Sequence, residues 1–208
     1  MARPREYDDE LRVQLIETAA RLLADEGPHA VTTRRVAAEV GTSTTAIYSL
    51  LGSKEALFRA MYREGFQRLS DHLAAAPHTG DALEDLRHLG AEYHAMGMES
   101  PQLYRVMFDC PIPEFVVDDE DATFSLGTLQ VLIDAVQRCV DDGLFVGDAR
   151  DLALELWSMN HGITSLAIAG MLGSPEQARD RLAHLGAAVY HGMSTTPDEH
   201  GGELVGEV

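Results

Sequence analysis

Side chains that could bind a phosphate group are concentrated between Thr32 and Lys54. Lys54 is the only lysine in the chain, and it follows Ser53, a residue type that often caps the N-terminus of a helix. A cation in the first turn of a helix opposes the helix dipole, whereas the same position favours anion binding. Lys54 therefore indicates a phosphate-binding position, and an ordinary solvated lysine is the alternative.

The residues before Lys54 predict two short helices joined by a tight turn. Thr32 is a candidate N-cap for the first helix, and Gly41 suits the left-handed residue that ends it. Ser43 is a candidate N-cap for the second helix, in which Ile47 points inward. Three side chains of that helix are expected to stay exposed: Thr44, Thr45 and Tyr48. This pattern is a helix-turn-helix, whose second helix enters the major groove of DNA.

From about residue 8 to residue 68, the chain resembles TetR-family transcriptional regulators. The resemblance depends on many residues at fixed spacing, namely Ile16, Ala20, Gly27, Thr33, Ala37, Gly41, Ser43, Tyr48, Lys54 and Leu57. It implies phosphate contacts from Thr33, Tyr48 and Lys54 and base contacts from Arg34 and Thr44. The full expected DNA-binding set is Thr33, Arg34, Arg35, Ser43, Thr44, Thr45, Tyr48 and Lys54.

Two features of this set limit the base contacts. The predicted recognition helix carries no charged side chain, so sequence selectivity would depend mainly on Arg34, which can bridge O6 and N7 of a guanine. Arg35 is expected to contact a phosphate or to form a surface ion pair, and the sequence does not separate these two alternatives.

The remaining chain predicts an all-α fold. Apolar residues recur at three- and four-residue spacing, and no segment alternates as a strand would. We expect a helix-turn-helix head over residues 8–68, a helical bundle for effector binding and dimerisation over residues 69–194, and a disordered tail over residues 195–208. Residues 1–7 are expected to form a mobile arm. Residues 110–121 are expected to form a loop, with Phe115 to Val117 packed against the bundle. Residues 148–172 are expected to form the longest helix.

Charge is distributed unevenly along the chain. The net charge is −18, yet residues 1–68 hold ten basic and ten acidic side chains, whereas the remainder holds six basic and 24 acidic ones. DNA would be repelled by the acidic part and accepted only by the head. We therefore expect binding that weakens steeply with salt, because phosphate contacts release counterions.

Trp157 and His161 lie four residues apart, on one face of a predicted helix. The segment from Trp157 to Ser165 resembles the WHG motif of one subgroup of TetR C-terminal domains. The two side chains could line a ligand cavity, but a buried structural histidine explains the same residues and is the favoured interpretation.

The resemblance also implies a cavity for an effector, which the apolar residues on its helices suggest is lipophilic or aromatic. The expected effector-binding set is His94, Met98, Tyr104, Met107, Phe108, Leu129, Ile133, Trp157 and His161. Ordinary core packing is the alternative for each of them.

Small residues in the last two long helices predict close helix contact across a two-fold axis. The expected interface set is Gly162, Leu166, Gly170, Leu182, Gly186 and Val189, and packing within one chain is the alternative. Together with the resemblance, this predicts a homodimeric repressor on a pseudo-palindromic operator, modulated by an unknown small molecule. A helical ligand-binding or scaffolding protein with a vestigial DNA-binding head is the rival hypothesis.

Several other classes of protein are not favoured. The sequence has no nucleophile elbow, zinc-protease motif, Walker loop or dinucleotide fingerprint, so we expect no enzyme, cofactor or metal. Asp85 and His88 have the spacing of a di-iron motif, but the second copy that such a site requires is missing. Cys110 and Cys139 are isolated and expected to be reduced, as in a cytoplasmic protein. The sequence contains no run of 18 apolar residues, so we expect no membrane span.

Overall fold

The computed structural model describes residues 5–109 and 115–194, and these residues form an all-α fold. Nine helices lie in the described residues: α1 Arg5–Glu26, α2 Thr33–Val40, α3 Thr44–Leu51, α4 Lys54–Ala75, α5 Ala82–Glu99, α6 Pro101–Asp109, α7 Asp119–Asp141, α8 Ala149–Ile168 and α9 Pro175–Met193. The predicted fold class is confirmed. The predicted tail at residues 195–208, and Cys110, lie outside the described residues.

The described residues divide into two compact units. The first comprises those of Met1–Ala75 and Ala95–Thr128, and the second those of Ala76–His94 and Leu129–Val208. Helices α5 and α7 contribute residues to both units. This division rests on contacts between residues, whereas the division predicted after residue 68 separates functions. The predicted functional boundary stays a prediction.

In the first unit, the apolar faces of α1, α2, α3, α4 and α6 form the core. Leu15, Ile16 and Met61 are fully buried there, as the three- and four-residue spacing of α1 and α4 predicts. Helices α4 and α6 approach each other closely at Gly65. A Cβ atom at this position would lie 2.6 Å from the side chain of Met107, so only glycine fits without a shift.

In the second unit, a buried carboxylate fixes the start of α5. Asp85 is 3% exposed, and its Oδ1 accepts hydrogen bonds from the backbone N and the hydroxyl of Thr79 at 2.6 and 2.9 Å. Arg138 of α7 donates to Oδ2 at 3.0 Å. The backbone N–H of Thr79, followed by these side chains, holds the pKa of Asp85 far below its ordinary value. The carboxylate therefore has a structural role.

Three predicted boundaries were wrong. Helix α1 begins at Arg5, so residues 5–7 belong to a helix, and the rest of the predicted arm lies outside the described residues. Helix α7 begins at Asp119, inside the predicted loop, because acidic residues suit the positive end of a helix and Asp118 Oδ1 accepts from the Asp121 N–H at 2.9 Å.

The third wrong boundary is the end of α8, which lies at Ile168 because Gly170 adopts a left-handed φ of 72°. Helix α7, with 23 residues, is the longest of the described helices. The predicted packing of residues 115–117 is confirmed only in part. Phe115 is buried against Tyr62 with ring centres 5.5 Å apart, whereas Val116 is 74% exposed.

Candidate nucleic-acid interface

Both helices of the helix-turn-helix begin at side-chain caps. Thr32 Oγ1 accepts from the Arg35 N–H at 3.1 Å, and Ser43 Oγ accepts from the Ala46 N–H at the same distance. Each cap satisfies a backbone donor that has no partner within the helix. The two predicted caps are therefore confirmed, and they set where α2 and α3 begin.

The turn between the two helices depends on Gly41. Its φ of 75° lies in the left-handed region, and its N–H donates to the Ala38 carbonyl at 3.3 Å. The Thr42 N–H donates to the Ala37 carbonyl at 2.8 Å. This is the hydrogen-bond pattern by which a glycine ends a helix and redirects the chain. The predicted role of Gly41 is confirmed, and the turn fixes the angle between α2 and α3.

Two hydroxyls from different helices meet on the exposed side of this motif. Thr33 Oγ1 at the start of α2 lies 3.4 Å from Tyr48 Oη in α3. Tyr48 is 53% exposed although it is a large aromatic residue. Its ring faces solvent while Ile47, the preceding residue, is fully buried. The two residues form what we call the hydroxyl pair, which can donate to a phosphate oxygen.

The remaining predicted contacts surround the hydroxyl pair. Arg34 and Thr45 are exposed, and Arg34 makes no hydrogen bond or ion pair with the described part of the chain. Thr44 is half-buried, and Ser43 already accepts one hydrogen bond as a cap. Arg34 is therefore available to a base edge, and the assignment of DNA contacts to individual residues stays a prediction.

Arg35 is held by carboxylates of the same unit. Its Nη2 lies 3.1 Å from Glu26 at the end of α1, and its Nε lies 3.0 Å from Glu39 in α2. Glu39 also pairs with Arg21 at 3.1 Å. Hydrogen bonds from Arg35 and then Arg21 hold the pKa of Glu39 below its ordinary value. Of the two alternatives for Arg35, the ion pair is present, and the phosphate contact stays a prediction.

Lys54 occupies the first turn of α4, as predicted. Ser53 Oγ accepts from the Ala56 N–H at 3.1 Å, so a third side-chain cap precedes this helix. The ammonium of Lys54 lies 5.3 Å from the centre of the Phe58 ring, within the range of a cation–π contact. The lysine stem is thus held near a helix start, where N–H groups and an ammonium can bind one anion.

Helix α4 is held to the start of α7 by arginine–carboxylate pairs that the sequence did not reveal. Arg63 Nε donates to Asp121 Oδ1 at 2.6 Å, and Asp121 has a fully buried side chain. Arg59 pairs with Asp118, and its Nη1 also lies 3.1 Å from Asp121 Oδ2 without the alignment of a hydrogen bond. The spacing of arginines at positions 59 and 63 is the only signal in the sequence, and it does not identify their partners.

The predicted effector residues fall into both compact units. Met98, Tyr104, Met107 and Phe108 belong to the first unit, and His94, Leu129, Ile133, Trp157 and His161 belong to the second. In the first unit the rings of Tyr104 and Phe108 lie 4.8 Å apart, and Met107 is buried. These contacts are consistent with core packing, and a ligand contact by any of the nine residues stays a prediction.

Within the second unit, a chain of polar side chains connects α5 to α8. The Trp157 indole N–H donates to Tyr93 Oη at 3.2 Å, and Tyr93 Oη lies 3.3 Å from His161 Nδ1. Trp157 and His161 share a helix face as predicted, and both bond to another helix, as in the structural interpretation. His161 is half-buried, whereas that interpretation assumed a buried histidine. Tyr93 belongs to none of the predicted site sets, because a sequence does not show which helix faces its hydroxyl.

A second α5–α8 contact is fully buried. His94 is 3% exposed, and its Nδ1 lies 3.1 Å from Thr164 Oγ1. Burial, and to a smaller extent the charge of Arg179, lowers the pKa of His94 below its ordinary value. The imidazole is therefore neutral near neutral pH. One turn away, Asn160 Oδ1 is buried without a hydrogen-bond partner among the described residues.

The predicted interface residues differ in exposure within one protomer. Leu166 is 42% exposed, and Gly170 is exposed beyond the end of α8. Gly186 is already buried within one chain. A Cβ atom added at this position would lie 3.6 Å from the Tyr190 ring of the same helix. Gly162, Leu182 and Val189 are half-buried. An exposed leucine supports an interface on α8, whereas the position of Gly186 is explained within one chain.

Other chemistry finds no support in the described residues. They contain no group of three histidine, cysteine or acidic side chains placed to hold a metal, and no helix long and apolar enough to cross a membrane. His88 Nδ1 lies 3.2 Å from the Pro77 carbonyl, so it is oriented by the backbone. Burial raises the pKa of the Cys139 thiol to about 11, which makes its thiolate rare near neutral pH.

Capped helices around a glycine turn, with exposed hydroxyls and an available arginine, define a helix-turn-helix DNA-binding protein of the all-α class. Residues 15–61 match the family model for bacterial regulatory proteins of the tetR family. Residues 86–190 match the model for the tetracyclin repressor-like C-terminal domain. The chain belongs to the TetR family of transcriptional regulators, and its membership of the WHG subgroup stays a prediction.

Solved structures share this fold at low sequence identity. A tetR-family regulatory protein from Rhodococcus RHA1 has a TM-score of 0.72 and 21% identity, covering 89% of this chain and 98% of its own. The TetR-family regulator PfmR from Thermus thermophilus has a TM-score of 0.70 and 20% identity, covering 86% and 97%. A TetR-family regulator from Marinobacter aquaeolei has a TM-score of 0.66 and 20% identity, covering 89% and 98%. No curated protein sequence matches the chain.

Proposed function

We propose that the protein is a homodimeric repressor that binds a pseudo-palindromic operator and is released by a lipophilic small molecule. The observation that carries the proposal is the hydroxyl pair of Thr33 and Tyr48, which lies beside the exposed Arg34 on capped helices. In this proposal α3 enters the major groove, and its copy in the second protomer enters one helical turn away.

The phosphate contacts come from Thr33, Tyr48 and Lys54. Each is a neutral hydroxyl or a single ammonium, so each contact positions the protein without distinguishing bases. Arg34 supplies the main base contact, because its guanidinium makes no ion pair among the described residues and can form a bidentate bond to guanine. Selectivity at the remaining positions comes from short hydroxyls and from DNA shape.

A selection of random DNA duplexes provides the operator for the test. Lys54→Ala is expected to weaken binding uniformly across operator variants, by about tenfold, and to lower the slope of log affinity against log salt by about 1. Arg34→Ala is expected to relax selectivity at one base pair, by about 1–3 kcal/mol. Arg150→Ala is the control, because this exposed residue lies in α8.

A selection that enriches no duplex would favour the rival function, a helical ligand-binding or scaffolding protein with a vestigial head. The two hypotheses differ in what the first helices are for. A repressor needs Tyr48 exposed for contact with DNA, and its ring is 53% exposed.

The homodimer is supported by the surface of α8 and α9. Leu166 of α8 is 42% exposed, Leu185 of α9 is 39% exposed, and Met171 in the connection between the two helices is 72% exposed. Leu166→Asp is expected to convert a species of about twice 22.7 kDa into one of about 22.7 kDa in size-exclusion chromatography with light scattering. Val116→Asp, at a residue 74% exposed outside these helices, is the control.

The effector is proposed to act by shifting populations. It must bind the conformation that does not fit the operator more tightly than the one that does. Trp157 is the only tryptophan in the chain and lies in the predicted effector set, so its fluorescence reports occupancy. A lipophilic compound that changes this emission and lowers operator affinity would support the proposal. Compounds that change the emission without affecting DNA would oppose it.

A further inference from the structure

An open cleft of about 590 Å³ lies within the first compact unit, between α1, the middle of α4 and the start of α7. Its walls include Arg12 from α1, Arg63 and Glu64 from α4, and Glu120 and Phe124 from α7. This volume is typical of small-molecule sites. None of these residues belongs to the predicted DNA-binding, effector-binding or interface sets.

The charged groups of the cleft differ in whether they are already paired. Arg63 bonds to Asp121 at 2.6 Å and lies 3.3 Å from Glu120, while Glu64 accepts from Arg68 at 3.0 Å. Arg12 makes no hydrogen bond or ion pair with any residue that the structure describes. Arg63 and Glu64 each have partners already, so the guanidinium of Arg12 is the positive group in the wall that remains for a ligand.

The group that Arg12 would bind is an oxyanion. A guanidinium matches the two oxygens of a carboxylate in a bidentate arrangement, and the bond is stronger than one between neutral groups. Arg12 is half-buried, so part of its hydration is already lost. The two glutamates of the wall would repel an anion, but their pairs with Arg63 and Arg68 reduce this effect.

An apolar surface is available beside the charged groups. Phe124 is 38% exposed on α7, although its neighbour Asp121 is fully buried one turn earlier. An exposed phenylalanine ring in the wall of a cleft can pack against a planar apolar ligand. The cleft thus combines one available guanidinium with one available aromatic ring.

We propose that this cleft binds aromatic carboxylates, with the carboxylate on Arg12 and the ring against Phe124. No residue in the walls of the cleft belongs to the predicted effector set, and the proposal does not depend on DNA binding. Both chemical parts of the ligand are required, because the ring supplies buried apolar area and the carboxylate supplies charge.

The test is calorimetric titration of the full-length protein with 2-naphthoate, with 2-naphthalenemethanol as the neutral probe that has the same ring. We expect saturable binding of 2-naphthoate and affinity at least about tenfold lower for the alcohol. Arg12→Gln is expected to weaken 2-naphthoate binding about tenfold or more, and Arg12→Lys to retain part of the affinity, because it keeps the charge but loses the bidentate geometry. Phe124→Ala is expected to weaken it severalfold.

Arg150→Gln is the matched control, because it removes an exposed arginine elsewhere and should leave binding unchanged. Thermal melts identify any variant that fails to fold. In that case the comparison of 2-naphthoate with 2-naphthalenemethanol on the wild-type protein still tests the proposal. The proposal is overturned if wild-type protein shows no saturable binding of 2-naphthoate at millimolar concentration, if both probes bind equally, or if Arg12→Gln binds like wild type. All of these measurements are made without DNA, so they are independent of operator binding.

Discussion

The helix-turn-helix and the α5–α8 contact differ in the sequence distance that their hydrogen bonds span. In the first region, Thr32 and Ser43 each bond to a backbone N–H three residues away, and Gly41 forms its turn locally. In the second, Tyr93 bonds to residues 64 and 68 positions away. Local chemistry therefore determines the geometry of the helix-turn-helix, whereas tertiary packing determines the geometry of the α5–α8 contact.

The largest expected effect tests whether the helix-turn-helix needs its small core as well as its caps. Ile47 is fully buried in α3, so Ile47→Ala is expected to lower the free energy of unfolding by about 2–5 kcal/mol. Denaturant unfolding measures the loss. Val13→Ala in the same unit, at a residue 37% exposed, is the control and should cost about 0.5 kcal/mol. Equal losses for the two variants would contradict the assigned core.

A smaller effect tests the turn itself. A Cβ at Gly41 would meet no atom within 4 Å, so a substitution there acts only through the backbone conformation. Gly41→Val is expected to cost about 1–2 kcal/mol, because φ of 75° is strained for a β-branched residue. Gly41→Asn should cost less, since asparagine tolerates this region. Melting temperature and operator affinity provide the measurements, and a valine variant as stable as the asparagine variant would exclude a left-handed turn.

The same difference explains what the sequence predicted. The caps at Thr32, Ser43 and Ser53 and the turn at Gly41 follow from residue types and spacing alone, so they were found. The partners of Arg63 and Tyr93 lie 58 or more residues away, and nothing in the local pattern identifies them. The end of α8 was missed because apolar spacing continues beyond the point where Gly170 changes the backbone direction.

Helix boundaries near charged segments were missed for a related reason. An acidic run such as Asp119–Asp121 is compatible with a solvated loop and with the first turn of a helix. Whether the run forms a helix depends on Arg59 and Arg63 of α4, which pair with Asp121 in the first compact unit. A prediction from one sequence cannot weigh those contacts, although it can recognise that both outcomes are possible.

Tyr93→Phe tests the long-range region. The substitution keeps the ring and removes the oxygen that joins Trp157 to His161, so it is expected to cost about 1 kcal/mol. Because Trp157 is the only tryptophan, its fluorescence emission should shift as the indole N–H loses its partner. Ser158→Ala is the control, since its hydroxyl bonds only to the Leu154 carbonyl of its own helix. An unchanged emission in Tyr93→Phe would mean that α5 and α8 are not joined through this oxygen.

The smallest expected effect is a pH dependence of stability from His94. Burial lowers the pKa of the folded-state imidazole below about 6.5, the value that the unfolded chain would have. As pH falls below about 6.5, the unfolded chain takes up a proton first, so the folded state loses stability until the folded-state pKa is reached. The contribution of neutral His94 to stability is therefore fully present above about pH 6.5, the unfolded-state value, and decreases below it.

His94→Gln isolates this contribution from those of the other histidines. Glutamine can still pair with Thr164 Oγ1, which lies 3.1 Å from the imidazole in the wild-type protein, but it does not titrate. Denaturant unfolding of both proteins between pH 7.5 and 5 should show a steeper decrease in the wild type. The difference between them should vanish above neutral pH, apart from a constant offset for the changed side chain. If the two curves stay parallel across the whole range, His94 is not held neutral by burial in the folded protein.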